Sequence, residues 1–287
     1  MGTLSTPRKQ SKKYSIYNTM ISLYESIRHT FKGDHALDMN NLINLCKMSQ
    51  PDLYNILINE LKMLGYKVYA NDQSSSCSRY IYAEGDIPIC LTAHLDTVFA
   101  YNRNKIINIS GDKISSPDGL GADDRVGVYA ILEIIKTHRC NVLFLEDEEC
   151  GHSGAVHFIS GPYKDMYIKQ NNFCIDLDMA GSNILTFYET TNSEFQKDIK
   201  SILPRYKIRD PKEGASDLIE LTIGWDKEGR NGSQHFEGTN KASLNIGVGY
   251  YDEHTLNEYV KFTEVQKAIK DAKKIIDKMP NKQYDAR

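Results

Sequence analysis

The chain has 287 residues, 40% apolar and 25% charged, with a net charge of −3, the balance of a globular protein of one large or two small domains. That charge argues against nucleic acid or an acidic membrane surface as a partner, and no apolar run reaches the ~18–20 residues needed to cross a bilayer. Six cysteines without a Cys-x-x-Cys pair, two of them (Cys90 and Cys174) inside apolar runs, read as reduced thiols of a cytoplasmic protein rather than a disulfide frame.

The first residues, MGTLSTPRKQSKKY, contain no apolar stretch of the kind a secretory signal needs. Met1-Gly2 with Thr6 fits the loose myristoylation pattern, but a disordered, solvated basic tail over residues 1–13 is the plainer expectation. Helices are expected over 14–32 and 36–48. Ser49-Gln50-Pro51-Asp52 then has the form of a helix start, and Leu53, Ile56, Leu57, Leu61 and Leu64 keep helical spacing up to a stop at Gly65. Residues 66–69 and 78–82 read as strands around a polar turn.

Residues 87–93 form a continuous apolar run, the mark of a strand buried on both faces. A helix follows over 125–136, with Val128, Ile131, Leu132 and Ile135 on one side. Further buried strands are expected over 141–146, 173–178 and 243–250, and a long amphipathic helix over 257–279. The segment 210–240, rich in Gly, Asp, Lys and Glu, reads as a long loop over a site or simply a solvated one. Strands alternating with helices predict an α/β fold, a three-layer sandwich with a mixed, largely parallel central sheet flanked by helices.

The position of the acids and imidazoles carries the chemistry. His94 and Asp96 follow the first buried strand, Glu148 and Glu149 the second, Asp178 ends the third and His254 follows the fourth. Open α/β sheets gather ligands beyond the carboxyl ends of their strands. Asp123, in a glycine-flanked turn before a helix, can join them. Carboxylates that converge away from water repel one another unless cations neutralise them. The cluster therefore reads as a metal site, one that holds two ions. His29, His35, His138 and His157 read as packed or surface histidines.

HLDTV, GADDRVG, EDEECG, LDM and YYDEHTLNEY, from about residue 40 to 275, resemble the five successive ligand motifs of the co-catalytic di-zinc exopeptidases. One branch of that clan includes peptidase T, glutamate carboxypeptidase and acetylornithine deacetylase; the bacterial di-zinc leucyl aminopeptidases form another. The resemblance implies that Asp123 bridges two metals, that His94 and Asp178 complete one shell, and that Glu149 and His254 complete the other. It makes Asp96 the partner of the His94 ring and Glu148 the general base that activates a metal-held water. It also implies a cis peptide after Asp123. His and carboxylate ligands without thiolate suit Zn²⁺, with Co²⁺ or Mn²⁺ as alternatives.

Only 76 positions separate Asp178 from His254, too few for an inserted lid or dimerisation domain of ~100 residues as well as the last strands. Residues 14–287 are thus expected to form a single catalytic domain. That points to the aminopeptidase branch, whereas HLDTV and GADDRVG read more like the other. The expected function is metal-dependent hydrolysis of peptide bonds, aminopeptidase-like and on short peptides. The same site acting on N-acyl amino acids, or a metal-binding homologue without catalysis, are the alternatives.

Competing motifs are incomplete. Gly151-His152-Ser153-Gly154-Ala155 breaks the nucleophile-elbow pattern at its last position, and Gly119-Leu120-Gly121 lacks the third glycine of a dinucleotide loop. Asn231-Gly232 reads as a tight turn. Ser216, Asp217, Trp225, Tyr250 and Tyr251 are candidates for the cleft wall or for the core, and Asp252 or Glu253 for pairing with a substrate ammonium.

Overall fold

The computed structural model describes residues 37–71, 79–213, 216–227 and 234–287. The expected basic tail, the helix over 14–32, His29, His35 and the Asn231-Gly232 turn lie outside them, as does the Trp225 side chain. In chain order the elements are α1 (Met39–Cys46), α2 (Gln50–Met63), β1 (Lys67–Ala70), β2 (Tyr80–Glu84), β3 (Ile87–His94), β4 (Asn108–Ser110), β5 (Lys113–Ser115), α3 (Ala122–Ile135), β6 (Cys140–Leu145), α4 (Ser153–Ile159), α5 (Lys164–Gln170) and β7 (Cys174–Met179). They continue with β8 (Ile184–Thr186), α6 (Ser193–Ile202), β9 (Lys207–Ile208), α7 (Leu218–Ile223), β10 (Gly224–Lys227), β11 (Gln234–Glu237), β12 (Ser243–Gly247), β13 (Tyr250–Tyr251), β14 (Tyr259–Lys261) and α8 (Phe262–Lys278).

The main sheet has eight strands in the order β1-β2-β6-β3-β7-β12-β8-β9. The central pairs β6/β3, β3/β7 and β7/β12 are parallel; β1/β2, β2/β6 and β8/β12 are antiparallel. Residues 87–93 read as an unbroken apolar run because both faces of β3 are covered; β6 and β7 are likewise buried but carry Asn141, Asp176 and Asp178. Ile89, Leu91, Ala93, Val142, Phe144, Ile175 and Leu177 join one core layer with α2, α3 and α8, while Tyr80, Tyr82, Leu143 and Leu145 join a second with Phe158, Tyr167 and Leu221. Alternate residues of a strand point to opposite faces, so one sheet supplies both layers. The three-layer α/β expectation holds.

Local signals act where the chain chemistry requires them. Ser49 caps α2 by accepting from the Asp52 N–H at 3.2 Å, and Gly65, at φ +80°, ends it in a conformation that favours glycine. Helix α3 presses on the sheet at Gly127, where a Cβ would stand 2.2 Å from Leu177 O. That approach brings the start of α3, and with it Asp123, over the ends of β3 and β7. The Asp123–Asp124 peptide is cis.

Three expectations need correction. The last helix starts at Phe262, not 257: Tyr259, Val260 and Lys261 form β14, which pairs with β5 and β13 in a second, four-stranded sheet. A β-branched residue flanked by an aromatic suits that pairing better than a helical turn. The strand expected over 243–250 ends at Gly247, and Tyr250 turns into the second sheet. Segment 210–240 is not one long loop; among its described residues are α7 and the β10/β11 hairpin. Helix α7 has six residues, too short to show a period, yet Leu218 and Leu221 close the second core layer. Gly224, at φ +97°, opens the hairpin where a Cβ would meet Phe236 O at 2.0 Å.

Candidate active site

Beyond the carboxyl ends of β3, β6 and β7 the structure brings His94, Asp96, Asp123, Glu148, Glu149, Asp178 and His254 into one cluster. Asp123 stands at its centre. Its Oδ1 lies 3.0 Å from His94 Nε2, which is also 3.6 Å from Asp178 Oδ1. Its Oδ2 lies 3.2 Å from His254 Nε2, which is 2.9 Å from Glu149 Oε1. The two oxygens of one carboxylate thus face two separate His–carboxylate pairs. In each of the sets His94/Asp123/Asp178 and Asp123/Glu149/His254, the donor atoms lie within 4.8 Å of one another. Glu148 forms a third such set with His94 and Glu149, so distance alone does not separate it from the ligands. Glu149 Oε1 is buried and makes no hydrogen bond despite its short approach to His254. That arrangement suits two donors aimed at a shared ion.

Long-range hydrogen bonds lock this geometry. Asp96 Oδ1 is 3.2 Å from His94 Nδ1, and the same carboxylate accepts from the Glu148 and Glu149 N–H groups at 3.2 and 3.0 Å. One side chain therefore aligns the His94 ring and ties the loop after β6 to the end of β3. Tyr250 Oη donates to Asp178 Oδ1 at 3.2 Å. Asn245 Oδ1 accepts from the Asp178 N–H at 3.1 Å, and Asn245 Nδ2 donates to the Asp178 carbonyl at 2.7 Å. Glu258, fully buried, accepts from the Gly121, Ala122 and Asp123 N–H groups at 2.6, 3.0 and 3.3 Å.

The electrostatics have one cause. Burial pushes Asp178 and Glu149 each up to about 7, and the neighbouring Asp123 adds to the effect. Contact with Asp123 pushes His254 up to about 9 against the cost of burial, with Glu149 contributing. Burial opposes charge on His94, but Asp178, Asp123 and Asp96 outweigh it and hold the ring well above the usual imidazole range. Burial also works against ionised Asp123, yet His254 and His94 keep it below the usual carboxylate range. Carboxylates crowded out of water demand positive charge between them, which protons or divalent cations supply.

The cluster floors a cleft of about 360 Å³, whose other walls include His152, Tyr188, Arg209, Tyr250 and Glu253. His152 carried no role in the sequence beyond the broken elbow motif. Its Nδ1 is 2.6 Å from Glu220 Oε2 and its Nε2 is 3.4 Å from Glu148 Oε1. Burial opposes its charge, but Glu148 and Glu220 push it up to about 11. Ser216 and Asp217 stand behind the cleft: Ser216 donates to the buried Asp176 at 2.8 Å, and burial with the nearby Glu148 raises Asp217 well above the carboxylate range. Tyr251 turns away and donates to Glu264. His138 pairs with Asp277 at 3.1 Å, and the His157 ring meets Tyr80 edge-on, so neither joins the cluster.

A sequence profile of peptidase family M28 matches residues 82–219, just under half of the chain, spanning the HLDTV, GADDRVG, EDEECG and LDM motifs. A search of curated proteins gives no match. Among solved structures, aminopeptidase PepT from Bacillus cereus aligns at 15% identity over 83% of this chain and 97% of its own, with a TM-score of 0.55. The TET1 peptidase of Pyrococcus horikoshii, which assembles into a tetrahedron or a large octahedral shell, aligns at 13% identity over 90% and 99%, TM-score 0.52. An aminopeptidase from Desulfurococcus kamchatkensis aligns at 14% identity over 84% and 95%, TM-score 0.56. At such identities the likeness speaks for the fold. The profile match adds support for a metallopeptidase type of hydrolase, a class that works with divalent metal. With its parallel sheet, its five motifs in order and its central M28 segment, this chain has the fold of the co-catalytic di-zinc exopeptidases.

Proposed function

We propose that this chain hydrolyses peptide bonds as a di-zinc exopeptidase, releasing residues from short peptides in the manner of an aminopeptidase. The observation that carries the reading is Asp123, whose two oxygens address two separate His–carboxylate pairs. His94 and Asp178 would hold one ion and Glu149 and His254 the other, with Asp123 shared between the two sets. Three carboxylates against two divalent cations leave the centre net positive. Bound there, the metals supply an acidified water and a polarised carbonyl.

The remaining steps belong to the chain. Asp96 accepts the His94 Nδ1–H and fixes the tautomer that offers Nε2 to the metal. Glu148 takes the proton of the water and passes it to the leaving amine. Of Asp252 and Glu253, the reading gives the pairing with a substrate ammonium to Glu253, with its position in the cleft lining as support.

The reading includes a single catalytic domain over 14–287. Its support is that the described residues between Asp178 and His254 return to the main sheet as β8, β9 and β12, with α6, α7 and the hairpin around them. A cytoplasmic setting is part of the same reading: Cys46, Cys90, Cys140, Cys150 and Cys174 are unbridged. No described helix is long and apolar enough to cross a membrane.

A panel of aminoacyl-anilides, dipeptides and N-acyl amino acids, assayed with zinc or cobalt and again after chelation, tests the function. Turnover of the free-amine substrates that disappears with chelator and returns with metal is expected. Turnover of acylated substrates alone would reassign the site to a deacylase, and turnover unaffected by chelator would remove the metals from the reaction.

His152 is a positioning residue in this scheme. Clamped by Glu220, it approaches one oxygen of Glu148, a residue of the cleft lining. His152→Ala is expected to lower kcat about 10–100-fold with little change in KM, the usual scale for a partner behind the reacting groups. A rise in KM at unchanged kcat would instead make His152 a substrate contact.

A further inference from the structure

We propose that a second pocket, on the far side of the loops carrying His94 and Asp123, binds a small oxyanion, a carboxylate or phosphate group. This pocket, about 210 Å³, lies between the α1–α2 junction, the loop from Thr97 to Lys105, and Arg125 of α3. It shares no lining residue with the cleft. Arg125 is 98% removed from solvent, at 2% exposure, and lies against it. Its Nη2 reaches only the Met48 carbonyl, at 3.4 Å, and its Nη1 has no partner. Lys105, 6% exposed, donates to the Leu120 carbonyl at 2.7 Å. The buried Thr97 Oγ1 on the same wall is also unpartnered.

Two buried cations would ordinarily be paired with carboxylates, because an uncompensated buried charge is strongly destabilising. Among the described residues no carboxylate forms an ion pair with Arg125 or Lys105. Asp96 holds His94 and two backbone amides. Glu146 takes a two-pronged bond from Arg79 at 2.6 and 2.7 Å. Asp124 Oδ1 accepts from the Gly127 N–H at 2.8 Å and its unpartnered Oδ2 also lies against Gly127, outside the pocket lining, while Glu258 serves the Gly121–Asp123 amides. Arg125, Lys105 and Thr97 therefore line one pocket, with Arg125 Nη1 and Thr97 Oγ1 unpartnered just beneath its surface. A planar carboxylate or a phosphate oxygen pair complements that set. The cavity has room for such a group and a few atoms more, with the Phe99 ring as an apolar wall.

Calorimetric titration of the full, zinc-loaded chain with inorganic phosphate, and separately with acetate, tests the site. Lys105→Met removes one of the two charges and leaves any anion held by the metals in place. The difference between its isotherm and that of the natural chain therefore isolates the pocket. A loss of about 10–100-fold in affinity is expected, the worth of one charged hydrogen bond. Ala100→Glu, at the exposed rim, offers the pocket a carboxylate of its own and is expected to displace the probe and raise the thermal midpoint. It decides the matter if Lys105→Met does not fold. Dependence on these residues in the phosphate titration alone assigns the site to phosphate groups; the same dependence with acetate assigns it to carboxylates. Isotherms for both probes that neither substitution alters would overturn the proposal, and would leave the hydrolase reading untouched.

Discussion

Glu148→Gln is expected to keep the metals and lose about 10²–10⁴-fold in kcat, the scale of general-base removal. The amide has the shape of the carboxylate but cannot take a proton. The ligand shell stays whole in this variant, because His94, Asp123, Glu149, Asp178 and His254 keep their mutual distances without Glu148. Metal analysis beside steady-state kinetics checks the prediction. Lost zinc would place Glu148 among the ligands, a role its set with His94 and Glu149 also permits. Undiminished kcat with full zinc would move the base to another group.

The second large effect is expected from Asp123→Ala. Each ion would be left with one imidazole and one carboxylate, short of the three protein ligands of a usual catalytic zinc site. Zinc retained after dialysis should fall from about two equivalents to below about one, with turnover at background. Under the proposed shared role of Asp123, this loss should exceed that of Asp178→Ala or His254→Ala, each of which would strip one ion only. Equal losses from all three would remove the bridging role. The buried position of Asp123, fixed by Glu258 through three backbone amides, means that Glu258 shares in holding the centre together.

Much of this was legible in the order of residues. Strand β3 announced itself as an unbroken apolar run, and β6 and β7 as mostly apolar ones, because each is covered on both faces, and a strand buried on both sides has little polar alternation to show. The candidate ligands were legible because each follows or ends such a run, and parallel strands deliver their carboxyl ends to one edge. Helix α2 carried its own start and stop in Ser49 and Gly65, since caps are local chemistry.

What stayed hidden were contacts between residues far apart in the chain. Glu258 binds amides 135 to 137 positions earlier, His152 meets Glu220 across 68, and Asp96 holds the Glu148 amide across 52. No periodicity or spacing encodes such a meeting. Helix α7 and strand β14 were invisible for a related reason: both are shorter than a readable period and owe their form to neighbours, the second core layer for one and β5 for the other. The unpaired charge of Arg125 is a fact about what surrounds it. Local propensity and hydrophobic pattern determined the elements and the residues they carry forward. Burial, close approach and long-range hydrogen bonding, which exist only once the chain has folded, decided how those residues face one another.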